Sequence, residues 1–87
     1  MATKVSVAIH PGEHIADELA ERGMSAADLA VAMDVDPGRV SRLVNAQVSV
    51  TADTALRLAD AFGTSAEFWM RLQGDYDLAR AREARVA

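Results

Sequence analysis

Apolar side chains recur along this chain at helical spacing, in blocks separated by residues that start or stop helices. Ile15 and Leu19, with Ala16 and Ala20, form the first stripe. His10-Pro11-Gly12-Glu13 opens it, with Pro11 suited to the first helical position, and Gly23 closes it as the left-handed residue after the last turn. Ser25 caps a second helix. Asp28 stands three residues on in a capping-box relation, and Met24 and Leu29 occupy the flanking apolar positions of a hydrophobic staple. That helix stops near Asp34, a residue type that tolerates the left-handed conformation at modest cost. Asp36 caps a third helix with Pro37 at its first position, and Val35 and Val40 form a second staple. Thr51 caps a fourth, whose stripe is Ala55, Leu58, Ala59 and Phe62 and whose end is Gly63. Thr64 or Ser65 caps a fifth, carrying Phe68, Trp69, Leu72 and Tyr76 at helical spacing. Gly74 weakens this last helix by about 1 kcal/mol relative to alanine, and the polar tail RAREARVA is expected to fray after Ala79.

The most informative stretch is Ala26–Leu43. Leu29, Met33, Val35, Val40 and Leu43 face inward across a tight turn, with small Ala30 where two helices must nearly touch. Two short helices related in this way are the pattern of a helix-turn-helix unit, whose second helix enters the DNA major groove. Gly38, Ser41, Arg42 and Asn45 fall on one polar face of the third helix. Arginine can grip guanine with two hydrogen bonds and asparagine can do the same for adenine, so Arg39, Arg42 and Asn45 are candidate base or phosphate contacts. Ser41, Gln47 and Ser49 suit phosphates, and Ser25, at the mouth of the second helix, completes the candidate set. The segment Ala46–Val50 is a loop.

Length changes the picture in one respect. The 87 residues make one domain, residues 9–87, behind a segment 1–8. A monomer of this size is marginal, and a dimer would both stabilise it and read two half-sites. Lys4–Ile9 alternates in the manner of a short strand, but a flexible tail is the stronger expectation. Cysteine is absent, which excludes a disulfide framework and a thiolate zinc site and points to a reducing cytoplasm. No apolar run approaches the roughly 20 residues of a membrane span, and no signal-peptide core is evident.

The formal charge of -4 is awkward for a DNA binder, but its distribution is uneven. Residues 1–34 carry two cations against six acids, whereas residues 35–50 carry Arg39 and Arg42 against Asp36 alone. The reading helix thus lies in the one net-positive part, and the acidic face Asp17, Glu18 and Glu21 suits solvent or a basic partner. His10 and His14 stand four apart with no third ligand evident, so a metal-free surface pair is expected. No nucleophile–base pairing or phosphate-cradling loop is present, so no enzyme activity, cofactor or small-molecule ligand is expected. Phe68, Trp69 and Tyr76 read as core or dimer interface.

Three blocks carry a resemblance: IHPGEHIADEL, MSAADLAVAMDVDPGRVSRLVNAQ and VTADTALRLADAFGTSAEFWMRLQGDYDLARA. Together, from about Ile9 to Ala81, they resemble the HigA/VapI antitoxins, small XRE-type helix-turn-helix proteins of bacterial toxin–antitoxin modules. The resemblance implies an all-α, five-helix, lambda-repressor-like fold and a homodimer held largely through the last helix, with Phe68, Trp69, Leu72 and Tyr76 at the interface. It implies binding to double-stranded operator DNA, repression of the module's own operon, and neutralisation of a basic HigB toxin, a RelE-like ribonuclease that cuts mRNA on the ribosome. Arg39, Ser41 and Arg42 fall at recognition-helix positions and Asn45 at the family's loop asparagine. Four positions depart from the usual pattern. Ala26 stands where a phosphate-binding glutamine is common, Pro37 and Gly38 stand where base-reading side chains are common, and Ala46 replaces a glycine.

Overall fold

The computed structural model describes residues 8–86, so Lys4–Val7, and with them the strand signal, lie outside the described residues. The described chain is all helical: α1 (Pro11–Arg22), α2 (Ala26–Met33), α3 (Pro37–Val44), α4 (Ala52–Phe62) and α5 (Ala66–Val86). Each start follows from the side chain before it. His10 Nδ1, Ser25 Oγ, Asp36 Oδ2 and Thr51 Oγ1 each accept a hydrogen bond from an otherwise unpaired N–H of the first turn. Ser25 and Asp28 form the full capping box. At α5 the cap is Ser65, whose Oγ accepts from Phe68 N, while Thr64 Oγ1 accepts from Trp69 Nε1.

The ends are equally local. Gly23, Asp34 and Ala46 all take the left-handed conformation after a helix, with paired hydrogen bonds back into its last turn. In the third case Gln47 N donates to Arg42 O and Ala46 N to Leu43 O, so an alanine with φ of 60° occupies a position that favours glycine.

Among the described residues twelve apolar ones form one core, running from Ile15 and Leu19 through Leu29, Met33, Val40 and Leu43 to Leu58, Phe62 and Trp69. Helix α3 packs against α1 and α2, α4 against α2 and α5, and α1 against α5. The α1–α3 contact requires Gly12. A Cβ there would collide with the carbonyl of Leu43 and lie 2.9 Å from that of Val44.

Two expectations need correction. Helix α5 does not fray at Ala79 but continues to Val86. Its tail is built of alanine, arginine and glutamate, all good helix formers, and Arg80 pairs with both Tyr76 Oη and Glu83. Trp69 offers no surface to a second copy: it is 0% exposed, its indole N–H is satisfied by Thr64, and its ring packs against Phe62 and Phe68. It is a core residue.

Candidate nucleic-acid interface

Helix α3 has one side in the core and one in solvent. Val40 and Leu43 bury the inner side, while Ser41, Arg42 and Asn45 are exposed together on the outer one. The α2–α3 turn that sets its angle is held from α4. Arg57 Nη1 donates to the carbonyls of Met33 (2.8 Å) and Asp34 (3.2 Å), and its Nε donates to Asp53 (3.0 Å). A cation placed on the last carbonyls of α2 satisfies orphan acceptors and the negative end of the helix dipole together. Nothing in the spacing of Arg57 marked it for this task.

The two arginines of α3 have different fates. Arg39 is turned inward, with its guanidinium on Thr54 Oγ1 at 2.7 Å and Asp53 Oδ2 at 3.2 Å, and its side chain is 33% exposed. Its Nη2 therefore braces α3 against the start of α4, a tie that the reading of Arg39 as a phosphate clamp or second base reader did not include. The same two guanidinium groups, Arg57 first and Arg39 second, hold the Asp53 carboxyl below the usual carboxylate range. Arg42 makes no ion pair among the described residues. Its Nη1 lies over Gly38, 3.1 Å from where a Cβ would stand, so glycine leaves room for the guanidinium to lean back along α3. Gly38 is accordingly half-buried rather than open.

The remaining candidates divide by what they already bind. Asn45 Nδ2 donates to Ser41 O at 2.9 Å and approaches Ser41 Oγ at 3.4 Å, so its amide N–H faces its own helix. Ser25 Oγ accepts the cap hydrogen bond from Asp28 N, and its hydroxyl also helps to hold the Asp28 carboxyl below the usual carboxylate range. Gln47 and Ser49 are exposed on the loop after α3. Two polar side chains that spacing did not single out as long-range ties hold that loop: His10 Nε2 donates to Val48 O at 2.9 Å, and Gln73 Oε1 accepts from Val50 N at 2.7 Å. His10 is thus buried, correcting its place in a surface pair, and no group of three metal-ligating side chains occurs among the described residues.

Away from α3, Leu72 and Tyr76 of α5 line a groove of about 190 Å³ with Ala8, Ile9, His14 and Asp75. Phe68 meets its edge through His14, at 6.2 Å between ring centroids. Ile9 and Phe68 are large apolar side chains left partly in solvent there. On α1, Asp17 and Glu21 are exposed, and Glu18 pairs with Arg22. No described helix is long and apolar enough to cross a membrane.

The helix-turn-helix family model matches residues 15–69, the greater part of the chain. Virulence-associated protein I of Dichelobacter nodosus is 47% identical over 77 residues, spanning 87% of this chain and 71% of that protein. The solved structure of an addiction module antidote protein of the HigA family, from Coxiella burnetii, is similar with a TM-score of 0.87 at 46% identity, covering 91% of this chain and 87% of the other. The chain belongs to the HigA/VapI family of helix-turn-helix antitoxins. A further HigA relative, the antitoxin HigA of Pseudomonas aeruginosa solved with the higBA promoter, has a TM-score of 0.86 at 47% identity, covering 90% of this chain and 86% of that one. The family is not one of enzymes.

Membership in the HigA/VapI family gives the opening block HPGE a physical reading. His10 caps α1 through one ring nitrogen and reaches the loop after α3 through the other. Pro11 starts the helix, and Gly12 lets the α1 backbone touch the last carbonyls of α3. The block is a joint between the first helix and the end of α3.

Proposed function

We propose that this chain is the antitoxin of a HigBA-type module and represses its own operon. A homodimer would place two α3 helices in successive major grooves of a palindromic operator, with half-sites roughly 34 Å apart. The observation that carries this reading is an exposed Arg42, without an ion pair among the described residues, on the solvent side of a helix braced by Arg39, Asp53 and Arg57. That the P. aeruginosa relative was solved with the higBA promoter supports the reading as an operator binder. In this reading Arg42 is the principal base reader. Ser41, Gln47, Ser49 and Ser25 contact phosphates. The dimer forms along α5 through Phe68, Leu72 and Tyr76, with Ile9 beside them. The acidic face of α1 neutralises a basic, RelE-like toxin, and the protein works in the cytoplasm at the nucleoid.

A second reading is favoured by particular residues. Ala26 and Pro37 offer no side-chain hydrogen bond to DNA, Gly38 has no side chain, and the net charge is -4. These favour a protein that grips its toxin tightly and its operator weakly. A regulator without a toxin is separated from both by the neighbouring reading frame, where a short basic RelE-like product belongs to an antitoxin. Fluorescence anisotropy with duplex DNA from the gene's own upstream region, against a scrambled duplex at two salt concentrations, tests the first reading. Tighter, salt-sensitive binding to the native duplex is expected. Equal binding to both would leave the toxin-binding reading, with co-purification of a basic toxin as its test.

A further inference from the structure

Among the described residues three polar side chains are buried in the core: His10, Thr54 and Gln73. They come from α1's cap, α4 and α5, yet all three support the stretch from α3 to the start of α4. Thr54 accepts from Arg39 of α3. His10 and Gln73 take the loop: His10 Nε2 holds Val48 O, and Gln73 Oε1 holds Val50 N. Among the described residues these are the only hydrogen bonds made by the backbone from Val48 to Val50. Burying a polar group is unfavourable unless it is hydrogen-bonded, and an apolar side chain would fill the same space without that penalty. What the polar side chain adds is direction.

Both are themselves fixed. His10 Nδ1 accepts from Gly12 N at 2.9 Å, so the ring proton is on Nε2, aimed at Val48 O, and the Tyr76 ring stands edge-on at 4.9 Å. Gln73 Nε2 donates to Asp77 Oδ1 at 2.9 Å, which turns its amide oxygen toward Val50. The loop they hold carries exposed Gln47 and Ser49. We infer that His10 and Gln73 are positioning residues for DNA: from opposite ends of the chain they fix the backbone of the 46–50 loop so that Gln47 and Ser49 meet a backbone phosphate beside the groove read by α3. This inference rests on the DNA-binding reading above.

The test separates capping from loop positioning. In His10→Asn the short amide still caps α1 but cannot reach Val48. Gln73→Met removes the second tie independently, should the first variant fold poorly. Each is placed in the wild-type background and in the Gln47→Ala/Ser49→Ala background, and binding to the upstream duplex and to a scrambled duplex is followed by anisotropy. Each tie is expected to be worth about fivefold in operator affinity. That loss should fall below about twofold once Gln47 and Ser49 are truncated, because the tie acts only through them. A purely structural role would give the same loss in both backgrounds, and that result, or no loss at all, would overturn the inference. A wild-type protein that does not distinguish the two duplexes would instead remove the DNA-binding reading beneath it.

Discussion

Arg39 and Arg42 are three residues apart on one helix, and their surroundings make them different tools. Arg39 is drawn inward by Asp53 and Thr54, whereas Arg42 lies over a glycine with no ion-pair partner among the described residues. The contrast extends to the two sides of α3. The inner side is locked by Val40, Leu43, Gly12 and the Arg57 brace, while the outer side presents few side chains. A helix read by so few groups depends on how firmly those groups are held, because a misaligned bidentate contact loses most of its discrimination.

The comparison breaks most completely at Gly12. Gly12→Ala would drive a Cβ into the carbonyls of Leu43 and Val44, backbone atoms that move only if α1 leaves α3. A loss of about 3 kcal/mol or more is expected in urea unfolding, with operator binding lost as a consequence. Arg42→Ala removes only the outer contact. It should lower operator affinity by about 1–3 kcal/mol and relax base preference, with the urea midpoint unchanged. Arg39→Ala sharpens the contrast from the other side. It should lower folding stability by about 1 kcal/mol, through the lost bonds to Asp53 and Thr54, while leaving the preference for the native duplex over a scrambled one intact.

Smaller effects test the joints. Ala46→Gly relieves a left-handed alanine at the end of α3 and should stabilise the fold by about 0.5 kcal/mol, read as a higher urea midpoint at unchanged slope. The least effect is expected from acid. Asp53 is held below the usual carboxylate range by Arg57 and then Arg39, and Asp28 by the backbone N–H and then the hydroxyl of Ser25. A carboxylate whose folded value is lowered contributes stability above its unfolded value and loses it as pH falls through the folded one. Thermal stability should therefore decline below about pH 4, and Asp53→Asn should flatten part of that decline.

The helices were legible because their signals are local. Ser25 with Asp28, Asp36 with Pro37, and Thr51 each sit within one turn of the N–H group or turn they serve, and Asp34 tolerates the left-handed angle on its own chemistry. Arg42 and Ser41 were legible as an exposed face for the same reason. What escaped was set by partners distant in the chain. Arg39 meets Asp53 fourteen residues on, Gln73 meets Val50 across 23, and His10 meets Val48 across 38. Spacing along one helix carries no trace of such a partner, so Arg39 reads from the sequence as a second DNA contact beside Arg42, the main reader. The length of α5 is a different case. The tail's alanines and arginines are strong helix formers, and its polarity, taken as a sign of fraying, describes only a helix leaving the core.

The measurement that bears most directly on the central claim is the ratio of affinities for the native upstream duplex and a scrambled one, taken for wild type, Arg42→Ala and Arg39→Ala at one salt concentration, with each variant's urea midpoint alongside. The claim that Arg42 reads while Arg39 braces predicts a ratio that collapses toward one in Arg42→Ala at unchanged midpoint, and a preserved ratio with a lowered midpoint in Arg39→Ala. A ratio that survives Arg42→Ala and is lost in Arg39→Ala at full stability would contradict it.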